Sequence, residues 1–157
     1  MVKDVRAVAP YTADTRELRD GQTAAERAPT TKGERQARKM ADWLNQQLPQ
    51  GTRVLVSPTL RTQQTAQALE RKFKLVPSLA PDQTVDALLA AARWPDAPDP
   101  VLVVGHQYTL GLTAAYLLGG ATQPWAVRKG AIWWIRMRKR ESGDEVVLHA
   151  ALSPELI

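Results

Sequence analysis

The 157 residues are 44% hydrophobic and 24% charged, and they include no cysteine and two histidines. Such a composition suits one ordinary globular domain, 1–157, and excludes disulfide and thiolate chemistry. The net charge of +5 admits a small anionic partner, but the basic residues are scattered without interleaved aromatics, which argues against nucleic acid. No apolar run approaches the roughly 18 residues of a membrane span, and Met1-Val2-Lys3-Asp4 does not open a signal peptide. A cytoplasmic monomer without membrane contact is therefore expected.

Residues 4–9 read as a first strand, although Arg6 falls among apolar neighbours, and Pro10 must stop it. Residues 11–31 form a long polar connection with Gly21 and Pro29, a candidate binding loop because compact domains seldom carry such lengths without purpose. From Thr31-Lys32-Gly33-Glu34 an amphipathic helix follows, with Ala37, Met40, Ala41, Leu44 and Leu48 at helical spacing. Pro49 and Gly51 end it.

Val54-Leu55-Val56 is an apolar, β-branched run of the kind found in a strand covered on both faces. Ser57 is placed to cap a helix starting at Pro58 and running through Ala66, Leu69 and Phe73. Residues 75–79 suggest a short edge strand interrupted by Pro77, and residues 84–93 a helix built on Val85, Leu88, Leu89 and Ala92. A stiff turn, Pro95 to Pro100, leads to a second apolar strand, Val101-Leu102-Val103-Val104, ending in Gly105-His106. A helix over 108–118 would turn Leu110, Ala114, Leu117 and Leu118 inward and stop at Gly119-Gly120. Residues 131–137 and 145–152 read as strands joined by the turn Glu141-Ser142-Gly143-Asp144. The alternation specifies a three-layer α/β/α sandwich: a mostly parallel sheet with an antiparallel C-terminal hairpin.

In open α/β sheets ligands bind beyond the carboxyl ends of strands, so Ser57 to Arg61 and His106 should face one cleft. A guanidinium in the first turn of a helix does nothing for the helix, whose N-terminus already carries partial positive charge. It does suit an anion held at the strand's end. The ordinary alternatives are a solvated arginine and a core histidine with its hydrogen bonds met. His149, inside the last strand, is a strand-face residue, and Trp94, Trp125, Trp133 and Trp134 read as packing. No metal cluster and no phosphate-cradling glycine loop is visible, so no cofactor is expected.

Ser57-Pro58-Thr59-Leu60-Arg61-Thr62-Gln63-Gln64-Thr65-Ala66 and Val103-Val104-Gly105-His106 together resemble the histidine phosphatase superfamily, in particular the small SixA-type phosphohistidine phosphatases. Thr30-Thr31-Lys32-Gly33-Glu34-Arg35-Gln36-Ala37 and Val127-Arg128-Lys129-Gly130-Ala131 match further, so the likeness covers about residues 28–157. It implies a phosphoglycerate mutase-like fold. It also implies a mechanism in which a histidine of an Arg-His-Gly or Arg-His-Ala motif, ending the first strand, attacks phosphorus. That motif's arginine, a Ser-Pro-x-x-Arg arginine and a later Gly-His histidine hold the phosphoryl oxygens. By this resemblance Arg61, His106 and Ser57, the motif's serine, form the phosphate-binding set, and His106 is the second catalytic histidine.

The first motif has no match. Ala7-Val8-Ala9-Pro10-Tyr11-Thr12-Ala13 stands in its place, with Ala9 aligned to the arginine and Pro10 to the nucleophile. Neither can attack phosphorus. Tyr108 replaces a usual proline, Leu112 a frequent polar residue and Thr31 a common proline, so the departures gather around one cleft. This pattern reads as an engineered scaffold with little phosphatase activity, its site emptied and re-lined by Ala9, Tyr11, Thr12, Tyr108 and Leu112. Such a pocket would serve a designed small-molecule ligand, or a new reaction with His106 as base toward Ser57, Thr12 or Tyr108. The alternatives are an active phosphohistidine or phosphomonoester phosphatase, and a natural pseudophosphatase that binds phosphorylated partners.

Overall fold

The computed structural model describes residues 2–8 as backbone, 31–138 and 140–157. Its strands are β1 (Val2–Val8), β2 (Arg53–Val56), β3 (Lys74–Leu75), β4 (Val101–Val104), β5 (Ile132–Arg138) and β6 (Glu145–Leu152). The helices are α1 (Thr31–Gln47), α2 (Leu60–Gln67), α3 (Val85–Ala92) and α4 (Gln107–Gly119). One sheet joins all six strands in the order β3-β2-β4-β1-β5-β6. The first four in that order are parallel, whereas β5 is antiparallel to both β1 and β6.

Alternation along the two central apolar strands builds the layers. Val54, Val56, Leu102 and Val104 point to one face and pack with Met40 and Leu44 of α1. Leu55, Val101 and Val103 point to the other, against Leu88 of α3 and Leu110 of α4. Both faces are covered, which is why these strands are continuously apolar rather than alternating. The result is the expected three-layer α/β/α sandwich with an antiparallel C-terminal hairpin.

The same topology creates a crevice. From β1 the chain crosses over β4 to reach β2, while from β4 it crosses over β1 to reach β5. Neighbouring parallel strands whose connections leave in opposite directions mark a topological switch point at their carboxyl ends. Val8 is the register partner of Val104, so the ends of β1 and β4 lie side by side there, with Gly105 and His106 following directly.

Several element boundaries differ from expectation. Strand β1 begins at Val2 and is described to Val8. Helix α2 starts at Leu60 with Thr59 as its N-cap, not at Pro58 with Ser57 as cap. Ser57 instead continues the sheet, its N–H donating to the Val104 carbonyl at 2.9 Å. Helix α2 stops at Gln67 rather than running to Phe73, with Glu70 adopting a positive φ of 54° just beyond it. The proposed strand over 75–79 is only Lys74–Leu75, followed by a 3-10 turn, Pro77–Leu79. Proline lacks the N–H a continuing ladder needs, and its fixed φ suits the first position of that turn. On α4, Leu110 and Ala114 are buried as expected, but Leu117 and Leu118 are only half-buried. The inner face also carries Thr109 and Thr113.

Trp125, Trp133 and Trp134 pack as expected. Trp134 takes Trp43 of α1 edge-on at 6.4 Å between centroids, and Trp125 meets Trp133 at 6.2 Å. His149 lies 4.3 Å from the Trp134 ring, on the face of β6.

Candidate functional site

Two strand ends deliver the polar residues. Beyond β2 the chain passes through Ser57 and Pro58 into α2, and beyond β4 it passes through Gly105 and His106 into α4. Because Ser57 N–H extends the β2–β4 ladder, the two ends are held side by side. Ser57 is fully buried and His106 is 7% exposed.

The His106 imidazole sits between two partners. Its Nε2 lies 2.7 Å from Ser57 Oγ, and its Nδ1 lies 3.0 Å from an Arg61 terminal nitrogen. A guanidinium can only donate, so Nδ1 must accept and carry the lone pair. Hydrogen-bond logic then assigns the proton of the neutral ring to Nε2, which donates to Ser57 Oγ. Burial, and after it the charge of Arg61, pushes His106 down from 6.5 to about 4. The ring is therefore neutral at pH 7. This tautomer argues against His106 as a base toward Ser57, since the nitrogen facing the hydroxyl is the one that bears hydrogen.

The turn beneath Arg61 is built from threonines. Thr62 is fully buried, and its Oγ1 lies 2.6 Å from the Ser57 carbonyl oxygen and 2.8 Å from that of Thr59. Thr59 Oγ1 approaches Thr62 Oγ1 at 2.7 Å. One turn on, Thr65 donates to the Arg61 carbonyl at 2.8 Å. Neither Thr59 nor Thr62 was identified from the sequence as a site residue. The available signal was a Thr-x-x-Thr spacing across the start of a helix, common enough to mean nothing until burial is known.

The structure thus brings Ser57, Arg61 and His106 together. Tyr108 is 62% exposed in the first turn of α4 and Leu112 is half-buried one turn further on. Ala9, Pro10, Tyr11 and Thr12 lie outside the described residues, as does the connection from 11 to 30. Among the described residues no group of three or more His, Cys, Asp or Glu is arranged to hold a metal ion. No helix among them is long and apolar enough to cross a membrane.

At the mouth of two parallel strands a buried imidazole is thus joined to a guanidinium. The profile of the histidine phosphatase superfamily (branch 1) matches residues 18–84, which contain Ser57 and Arg61. An uncharacterized protein of Picosynechococcus sp. is 39% identical over 100 residues, 59% of this chain and 61% of that protein. Phosphohistidine phosphatase SixA of Escherichia coli is 35% identical over 103 residues, 60% of this chain and 64% of that one. The chain thus spans less than two thirds of the curated relatives it matches. The solved structure of the protein histidine phosphatase SixA complexed with tungstate superposes with a TM-score of 0.75 at 27% identity, over 98% of both chains. The chain thus resembles the histidine phosphatase superfamily. The similar protein of Escherichia coli and the similar solved structure are both of the SixA type.

Proposed function

We propose that this domain binds phosphoryl or similar oxyanionic groups through Arg61 and His106 and turns them over poorly or not at all. One observation carries the binding half: the Arg61 guanidinium meets His106 Nδ1 at 3.0 Å where β2 and β4 end. A cation there, beside the first turn of α2, is suited to a tetrahedral oxyanion. The tungstate bound by the similar SixA structure is an oxyanion of that class. The second half rests on the sequence, whose two histidines are His106 and His149, with none in residues 1–30 to serve as nucleophile. Loss of a nucleophile commonly lowers turnover by several orders of magnitude.

Titration with inorganic phosphate, followed by NMR and calorimetry, tests the binding. Shifts at Arg61 and His106 are expected at millimolar phosphate, and their absence would sink the reading. Assays with p-nitrophenyl phosphate and phosphohistidine test the turnover. Robust hydrolysis abolished by His106→Ala would show instead an active phosphatase.

A second reading, a cleft re-lined for another ligand by engineering or by natural divergence, is favoured by the exposure of Tyr108 two residues after His106. Its aromatic face offers an apolar wall beside an anion site. Tighter binding of aryl than alkyl phosphonates, lost in Tyr108→Ala, would support it.

A further inference from the structure

Helix α2 breaks a local rule. Its N-cap is Thr59, a residue type chosen for capping because its hydroxyl can accept from a backbone N–H of the first turn. That hydroxyl makes no cap hydrogen bond. It is turned instead to Thr62 Oγ1, 2.7 Å away, and both threonines are buried. Local preferences are given up where something else requires the group.

The hydrogens can be assigned. The Thr59 carbonyl already accepts the Gln63 N–H at 3.1 Å, whereas the Ser57 carbonyl precedes the helix and takes the Thr62 hydroxyl at 2.6 Å. Thr62 has a single proton, and the shorter contact to Ser57 claims it. Thr59 must then donate to Thr62 Oγ1. Two hydrogen bonds in series run from the Thr59 hydroxyl to Thr62 and on to the Ser57 carbonyl, and the side chain of the same Ser57 accepts from His106 Nε2. Hydrogen bonds in such a buried series reinforce one another and hold their members in one geometry.

We infer that Thr62, supported by Thr59, is a positioning residue that fixes the Ser57 peptide and thereby the orientation of the His106–Arg61 pair. It touches no ligand itself. It sits directly after Arg61 in the chain, so the same turn that aims the guanidinium also carries the hydroxyl that anchors Ser57. The sheet holds Ser57 from one side through its N–H, and Thr62 holds it from the other through its carbonyl. With its N–H and carbonyl both held, the Ser57 backbone is fixed, and so is the Cβ from which Oγ reaches the imidazole. The consequence for ligand affinity rests on the phosphoryl-binding reading above, but the positioning of His106 does not.

Thr62→Val keeps the shape and removes the hydroxyl, while Thr62→Ser keeps the hydroxyl. In Thr62→Val, nitrogen NMR of the imidazole should lose the pure Nε2–H tautomer and the His106 titration should shift. Phosphate binding should become roughly tenfold weaker, the scale of one buried hydrogen bond. Thr62→Ser should restore all three. A Thr62→Val protein that melts earlier yet keeps the His106 tautomer, titration and phosphate affinity of the parent would overturn the inference, since a merely structural hydroxyl behaves that way. If Thr62→Val does not fold, Thr59→Val, which removes the donor to Thr62, is read by the same three measurements with the same consequences. Should the parent fail to bind phosphate while His106 still shifts in Thr62→Val, the positioning role stands and the phosphoryl-binding reading falls.

Discussion

Arg61 donates a hydrogen bond of 3.0 Å to Nδ1 of His106, across 45 residues of sequence and between two different strand-to-helix turns. In this pair a cation orients a neutral ring. Its effect is to keep the ring neutral and to set which nitrogen holds the hydrogen. An anion reaching Arg61 would therefore meet a guanidinium already aimed at the cleft.

Replacing Arg61 with alanine should move His106 upward, because the guanidinium charge is one of the two causes that lower it. The shift should be partial. Burial is the larger cause and persists, so the imidazole stays below its ordinary 6.5. Phosphate affinity should fall by roughly tenfold or more, as a charge-assisted hydrogen bond is lost. NMR titration of the imidazole against pH, with and without phosphate, reads both effects.

Stability should fall in mild acid. Folded His106 titrates near 4 and the unfolded imidazole near 6.5, so between these values the unfolded chain binds more protons. The contribution is complete above about 6.5 and is lost as pH falls toward 4. From pH 7 to pH 5 this one group should cost about 2 kcal/mol. Urea unfolding at the two pH values measures it, and His106→Gln should remove most of the difference.

Gly111 on α4 has no room for a side chain. A methyl group there would overlap the Trp125 carbonyl oxygen, part of the backbone that crosses the helix. Gly111→Ala should therefore destabilise, despite alanine's better helix propensity, by about 1–3 kcal/mol as the crossing segment is pushed away. Thermal or urea unfolding would show it, with a shift of the Trp125 indole N–H resonance in NMR as a local reporter.

Arg71 closes the carboxyl end of α1. Its guanidinium donates to Asn45 Oδ1 at 2.7 Å, to the Pro49 carbonyl at 2.8 Å and to the Leu48 carbonyl at 3.0 Å. The Leu48 and Pro49 carbonyls directly follow the helix, where intrahelical donors run out, and the Pro49 carbonyl also accepts from Thr52. Arg71→Ala should cost about 1–2 kcal/mol and speed amide exchange in the last turn of α1, with phosphate binding unchanged.

Much of this protein is determined by its sequence alone, for physical reasons that are local. Val54 to Val56 and Val101 to Val104 are legible as buried strands because a strand covered on both faces must be apolar at every position. Helix α1 is legible because Ala37, Met40, Ala41, Leu44 and Leu48 repeat at its period. The meeting of Arg61 and His106 follows from the rule that parallel strands present their carboxyl ends to one crevice. Tertiary structure alone decided the rest. A threonine reads the same in a sequence whether solvated or buried, so Thr59 and Thr62 became visible only when the packing of α2 on the sheet removed them from water. The start of α2 at Leu60 was decided by Ser57, whose N–H was taken by Val104 of another strand rather than left to a cap. The tautomer of His106 likewise depends on two partners that no sequence spacing specifies, Ser57 on one nitrogen and Arg61 on the other. Periodicity reports which face of an element is apolar. Where a hydrogen goes is settled only by what stands opposite.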